Sequence, residues 1–469
     1  MNGNGVCLSV KKRFHDAILS IKNPFLFGTL LLTAGGLLTR VLGFFYRIWL
    51  AGVIGEVGMG IYQLVFPVFG VAFALCATAI QTSISRFTAE AMSQKNHHRC
   101  LLILQTGLAC SLLLSLLCGI FIYRKADFLA THILNAPECA HLLPYIAVML
   151  PLGAVHACIG GYYLGCKNAA ISAASQLIEQ CFRILCTYLA LCYFLENSRP
   201  ADAMLPIIGM TAGEIASFVF GGGALIVTLY KLKSCMPNLS FRGSLPEYKL
   251  CFQELSSMAC PLMFNRVLLG LLQSGEAVLL PLMLQSSGLS SAEALGVYGV
   301  FSGMALPFLM FPSAITNSIS AMLLPFVADA NAAHQKKRLQ KTVRKALFLS
   351  GGIGVFFFII FLLFGKGIGL LVFDNATAGD YLLILSWICP FLYMNSTLGS
   401  TMNGLGLTTL LFVQNSICLS LRILSVLFLV PRFGMQGYLW GLLFSTILQT
   451  LLHSFSVQKR IPLHEKSVA

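Results

Sequence analysis

A backbone entering membrane hydrocarbon must satisfy its own hydrogen bonds, and a run of about twenty apolar residues is what crosses it as a helix. Twelve such runs recur along these 469 residues, at roughly 25–50, 61–88, 100–123, 144–166, 172–195, 204–230, 261–285, 296–326, 346–364, 381–404, 408–430 and 437–457. That repetition selects the fold class: an all-α integral membrane protein with twelve transmembrane helices. Composition agrees, with 57% hydrophobic and 10% charged residues, where soluble domains carry about 25% charged residues.

Lys and Arg near the ends of membrane helices prefer the cytoplasm. With the amino end inside, twenty of them fall in cytoplasmic segments, including Lys11, Lys12, Arg13, Lys22, Lys336, Lys337, Arg338, Lys459, Arg460 and Lys466. The opposite loops hold five: Arg124, Lys125, Arg199, Lys366 and Arg432. Both termini are therefore expected in the cytoplasm, and the net charge of +14 is a topology signal, not a nucleic-acid footprint. The first helix is too long and too charged for a signal peptide and is expected to stay uncleaved. The sixteen cysteines lie almost all in or beside apolar runs without a C-x-x-C, so disulfides and zinc are not expected. Gly351, Gly352 and Gly354 open an apolar run with no preceding strand, which suits close helix packing better than a nucleotide loop.

The chain reads as two copies of one unit. Ala79 to Ser85 matches Ala314 to Ser320 at five of seven positions, 235 residues on; Gly165 and Arg183-Ile184 recur as Gly404 and Arg422-Ile423, 239 residues on. Six helices per copy is an even number, so both copies enter from the same side and are related by a pseudo-two-fold axis along the membrane normal. The expected division is an amino-terminal lobe at 1–230, a cytoplasmic linker at 231–257 and a carboxy-terminal lobe at 258–469.

Nine ionisable residues fall inside the runs: Arg40, Arg47, Arg86, Glu179, Arg183, Glu214, Arg266, Glu276 and Arg422. Each costs about 3 kcal/mol at membrane depth, so each needs a partner or water. Gln176, Glu179, Gln180 and Arg183 form one polar stripe at helical spacing, able to pair internally. Arg86 and Arg422 are expected near helix ends, reaching for the interface. Glu214 and Glu276 are open to two roles, neutralising arginines or coupling to H+ or Na+. Arg40 and Arg47 differ, because the first run contains no acid. Seven residues is close to two turns, so both leave one face about 10 Å apart. With Arg266 on the matching element of the second lobe they give a cationic cavity suited to a phosphate or pyrophosphate; salt bridges to Glu179, Glu214 or Glu276 are the structural alternative. No nucleophile and base pair, metal cluster or phosphate loop stands out, so neither an enzyme nor a cofactor is expected.

Three stretches carry a resemblance. They are Thr39-Arg40-Val41-Leu42-Gly43-Phe44-Phe45-Tyr46-Arg47 with Gly58-Met59-Gly60-Ile61-Tyr62-Gln63-Leu64-Val65-Phe66-Pro67, Ser85-Arg86-Phe87-Thr88-Ala89-Glu90, and Gly161-Tyr162-Tyr163-Leu164-Gly165 followed by Ser175-Gln176-Leu177-Ile178-Glu179-Gln180. The chain resembles the stage V sporulation protein B branch of polysaccharide transporters, in the superfamily that includes multidrug and toxin extruders and lipid II flippases. The resemblance implies a two-lobed, V-shaped transporter in the bacterial cytoplasmic membrane. Its cargo would be an undecaprenyl pyrophosphate-linked saccharide, a peptidoglycan or polysaccharide precursor, moved to the outer leaflet by alternating access. Arg40 and Arg47 match cavity arginines that lipid II flippases require on the first helix. Two departures stand out: those flippases carry two further helices, and their arginine early in the eighth helix has no equivalent in Tyr298-Gly299-Val300-Phe301-Ser302. The rival readings are a cation-coupled multidrug exporter, which would use Glu179 or Glu214, and a nontransporting scaffold that binds cell-wall synthesis enzymes.

Overall fold

In lipid the helix is the element that closes every backbone hydrogen bond within one segment, and the apolar runs fold accordingly. The computed structural model describes residues 24–237, 240 and 242–461, with side chains from Ala34 onward apart from Ala332; these residues form helices and no strand. The chain ends lie outside them, and with them Lys11, Lys12, Arg13, Lys22 and Lys466.

The helices are α1 (24–54), α2 (56–93), α3 (His97–Arg124), α4 (Leu143–Gly165), α5 (Ala169–Glu196), α6 (Met204–Cys235) and α7 (Leu245–Ser286). They continue as α8 (291–332, turning at Phe311-Pro312), α9 (Lys336–Phe373), α10 (Ala376–Gly404), α11 (Thr408–Phe433) and α12 (Met435–Arg460). Gly55 breaks the first run, with φ 68° and ψ −174°, a left-handed conformation open to glycine. Further on, α2 carries a π-helical turn at Ala74–Thr78, and Ser111 of α3 donates to the Cys76 carbonyl there at 2.6 Å. Caps set other boundaries: Asn96 accepts from the Arg99 amide at 3.0 Å, and Ser244 and Ser290 form capping boxes with Glu247 and Glu293.

Ten helical stretches among the described residues are long and apolar enough to cross a membrane. The expectation of twelve differs for a local reason. The first stretch, Ala34–Ser93, is α1 and α2 joined through Gly55, while α12, with Ser445, Thr446, Gln449, Thr450 and His453, is not among the ten. The expected linker is largely helical: α6 runs to Cys235 and α7 begins at Leu245.

Helix pairings repeat six helices on. In the first half α1 packs on α5, α5 on α6, α3 on α4 and α2 on α4; in the second, α7 packs on α11, α11 on α12, α9 on α10 and α8 on α10. Two glycines show the repeat at atomic scale. A Cβ on Gly165 would come within 2.6 Å of the Ser85 carbonyl, and one on Gly404 within 2.9 Å of the Leu324 carbonyl, both partners again 239 residues apart.

The lobes meet unevenly. At the Gly55 end the closure is tight: a Cβ on Gly60 would collide with the Leu295 carbonyl, one on Gly299 with the Glu56 carbonyl, and Asn375 donates to the Glu56 carboxylate. Along one side α7 lies on the first lobe throughout. Its contacts run from Tyr248 donating to Gln105 (2.7 Å) and the Arg99–Glu254 ion pair (2.9 Å) to Ser274 donating to the Pro67 carbonyl (3.2 Å). On the other side the lobes part at the Ser93 end: Ser313–Ala332 packs on α9 and α10 and barely touches α1.

Candidate functional site

Arg40 and Arg47 sit at the open side. Phe44 lies between them in the helical order and stacks on Phe311 of α8 with centroids 4.2 Å apart, while the Phe308 ring lies tilted to it at 5.1 Å. Four residues before it and three after share its face, so both arginines leave α1 on the face turned toward the second lobe. The opposite flank packs on α5: a Cβ on Gly35 would meet Ala173 at 3.2 Å, and the Tyr46 hydroxyl lies 3.0 Å from the Thr187 hydroxyl. Arg40 is exposed and Arg47 half-buried, and neither has a hydrogen-bond or ion-pair partner among the described residues. Arg47 and Arg183 are both near enough to Tyr46 and Tyr62 to act on them electrostatically.

Arg266 and Arg86 come together at the α2–α7 seam. Arg266 donates to the Thr82 hydroxyl at 3.2 Å, while Arg86, one turn from Thr82, lies 3.5 Å from the Met258 sulfur and over the Phe87 ring. Among the described residues neither meets a carboxylate, so there Arg40, Arg47, Arg86 and Arg266 all keep an uncompensated charge on surfaces where the lobes face each other.

Two embedded arginines are neutralised. Arg183 pairs with Glu179 on its own helix and donates to Gln180 at 3.4 Å, so three members of the α5 stripe close on themselves; Gln176 is exposed and stays out. Arg422 corrects an expectation. It does not reach for the interface but pairs, inside the second lobe, with Glu276 of α7, a residue 5% exposed. Tyr438 of α12 donates to the other Glu276 oxygen at 2.8 Å, which ties three helices together.

Among the described residues Glu214 meets no arginine. Its Oε2 lies 3.7 Å from His156 Nδ1 of α4, whose Nε2 is 2.8 Å from the Ser175 hydroxyl. His156, Glu179 and Glu214 offer one donor atom each within 4.8 Å of one another. Sequence reasoning singled out both glutamates and missed the histidine. His156 stands alone in an apolar run, with Leu152, Gly153, Ile159 and Gly160 at its helical neighbours, so its pairing exists only in three dimensions.

Comparison with known proteins gives two family matches: the family described as Polysaccharide biosynthesis protein over residues 25–331, and MatE over 259–427. Stage V sporulation protein B of Bacillus subtilis (strain 168) is 29% identical over 457 residues, covering 95% of this chain and 86% of that protein. Among solved structures, an inward closed conformation of the lipid II flippase MurJ aligns with TM-score 0.68 at 15% identity, covering 92% of this chain and 87% of the other. An inward-facing multidrug resistance MATE family transporter of the MOP superfamily aligns with TM-score 0.67 at 16% identity, covering 92% and 96%. At those identities the structures establish the fold, which is MATE-like, all-α and multi-pass.

Proposed function

We propose, for a chain that belongs to the polysaccharide biosynthesis protein family, that it is a transporter of the MOP superfamily which carries an undecaprenyl pyrophosphate-linked saccharide to the outer leaflet by alternating access. One observation carries the reading: among the described residues Arg40 and Arg47 have no partner on the face toward the second lobe, while Arg183 and Arg422 are each held by a carboxylate. Free guanidinium groups at that depth are costly unless an anion visits them, and their planar forks match phosphate oxygens in bidentate fashion. The likeness to a sporulation protein supports a role in spore formation.

The basic segments put the amino end in the cytoplasm, which makes the Gly55 end the outer one. The closure at Glu56, Gly60, Leu295 and Asn375 then describes a state shut outside and open inward along α1 and α8. In the proposed cycle Arg40, Arg47 and Arg266 grip the pyrophosphate, the sugar occupies the water between the lobes, and the polyprenyl tail stays in lipid, so no large polar group meets hydrocarbon. Rocking the lobes opens the outer side. Moving two negative charges out of a negative interior releases up to about 4.6 kcal/mol per 100 mV if the whole field is crossed.

The test is a head-group accessibility assay in vesicles that contain this protein and a lipid-linked oligosaccharide. The expected result is transfer that slows when the membrane potential is reversed and stops in the Arg40→Ala, Arg47→Ala double variant. Undiminished transfer by that variant rejects the anion grip. Dye efflux without lipid transfer selects the multidrug reading instead.

A further inference from the structure

The amino-terminal turns of α9 crowd six exposed cations into one short stretch: Lys336, Lys337, Arg338, Lys341, Arg344 and Lys345. Among the described residues none of them meets a carboxylate. Arg338 is engaged locally, donating to Gln335 at 3.0 Å and lying 5.1 Å from the centre of the Phe326 ring. Successive helical residues turn by about 100°, which gathers Lys337, Lys341, Arg344 and Lys345 within about a third of the circumference. Phe348, Val355 and Ile359 continue the same sector into the apolar part of α9, and all three are exposed. The opposite sector is buried: Leu339, Val343 and Ala346 share one apolar cluster with Leu323 and Val327 of α8. Membrane topology accounts for the sign of these charges but not for their arrangement. Lys337, Lys341 and Lys345 repel one another at spacings of four, and cations in the first turns oppose the helix macrodipole. The helix alone gains nothing from such a stripe; an anion outside the chain relieves it.

We propose that this stripe is a binding surface for anionic phospholipid of the cytoplasmic leaflet. The occupant follows from continuity along the helix. Cations give way on one face to exposed apolar side chains, and a phosphate carried on acyl chains presents its two parts in the same order. A soluble anion or an acidic protein answers to the charges alone. The helical rise puts Arg344 and Lys345 about 5 Å from Phe348 along the axis and Lys337 about 16 Å from it. Against a screening length of about 8 Å at physiological ionic strength, the first two dominate. Three of the four are lysines, point charges without a planar fork, which suits a mobile headgroup layer better than one fixed phosphate. Through Leu339 and Val343 the lipid-bound face backs onto the half of α8 that borders the opening toward α1. Lipid held there braces that wall. The binding stands without the transporter reading above.

The test places the purified full-length chain in phosphatidylcholine nanodiscs doped with photoreactive phosphatidylglycerol, without cargo, and maps crosslinks by mass spectrometry. Labelling across residues 344–359 should exceed that from photoreactive phosphatidylcholine at the same dose several-fold, and the excess should shrink as salt is raised. The Arg344→Gln, Lys345→Gln double variant should lose most of the excess, Lys337→Gln little, and Arg344→Lys should keep it. Equal labelling of the native chain by the two probes overturns the proposal, and so does an excess that survives the double variant in monodisperse protein. Displacement of the probe by inorganic phosphate at constant ionic strength also overturns it and identifies a soluble-anion site. Displacement by undecaprenyl pyrophosphate at a small fraction of the phosphatidylglycerol content rejects it in favour of cargo capture. A chain that transfers no lipid in vesicles still passes or fails this measurement, so the two readings fall separately.

Discussion

Arg183 and Arg422 stand 239 residues apart on matching helices, yet the two lobes neutralise them by opposite routes. In the second lobe the acid comes from a different helix, Glu276 of α7, and Tyr438 joins from a third, so the charge pair doubles as a clamp. In the first lobe the acid sits one turn away on the same helix. That local solution ties nothing together, and it spares α1 from supplying a carboxylate. The same scaffold position thus became a rivet in one lobe, while in the other it left a neighbouring helix able to carry unpaired cations. Charge balance within a helix leaves room for function; balance between helices consumes it.

The largest effect should come from breaking the rivet. Glu276→Ala removes the buried acid that Arg422 and Tyr438 share, a loss of about 3–5 kcal/mol for a buried pair, to be read as a lowered midpoint of thermal unfolding in nanodiscs. Glu179→Ala should cost clearly less, because Arg183 keeps Gln180 and loses only an acid of its own helix, itself less buried than Glu276. Equal losses would erase the distinction between the lobes. Next come the free cations. Arg40→Ala and Arg47→Ala should each weaken binding of a pyrophosphate lipid by about 1.5–3 kcal/mol, the range for hydrogen bonds to charged groups, with unfolding midpoints unchanged or raised. A fall in stability as large as that for Glu276→Ala would show that these side chains are paired after all. The smallest effect concerns the closure between lobes. Glu56→Gln keeps the shape of the contact with Asn375 but not its charge, and should weaken it by about 1 kcal/mol. Spin labels at Glu138 and Ser287, on exposed turns of either lobe near the Gly55 end, should then report a several-fold larger open population; unchanged distances would assign the closure to the Gly60 and Gly299 packing alone.

Much of this was legible in one dimension, because lipid imposes its rule on every helix separately. The apolar runs, the Gly165 and Gly404 repeat, and the acid-free helix with Arg40 and Arg47 are all local patterns, and the structure keeps each of them. What spacing could not reveal were relations between distant helices. Arg422 and Glu276 are 146 residues apart, and nothing in the α11 run announces that its arginine turns inward. His156 has no polar neighbour along α4 and gains its meaning from Ser175 and Glu214 on two other helices. The length of α7 was also hidden, since its first turns are polar and fall within what composition marks as a linker.

That long α7 has a mechanical consequence. Belonging to one lobe by sequence and lying against the other from Tyr248 to Ser274, it is placed like the spine of a book, with the fore-edge where α1 faces α8. In the proposed cycle a guest tethered to the leaflet would slip in sideways with its anchor left hanging outside the covers, which a hole drilled straight down between the boards would never permit.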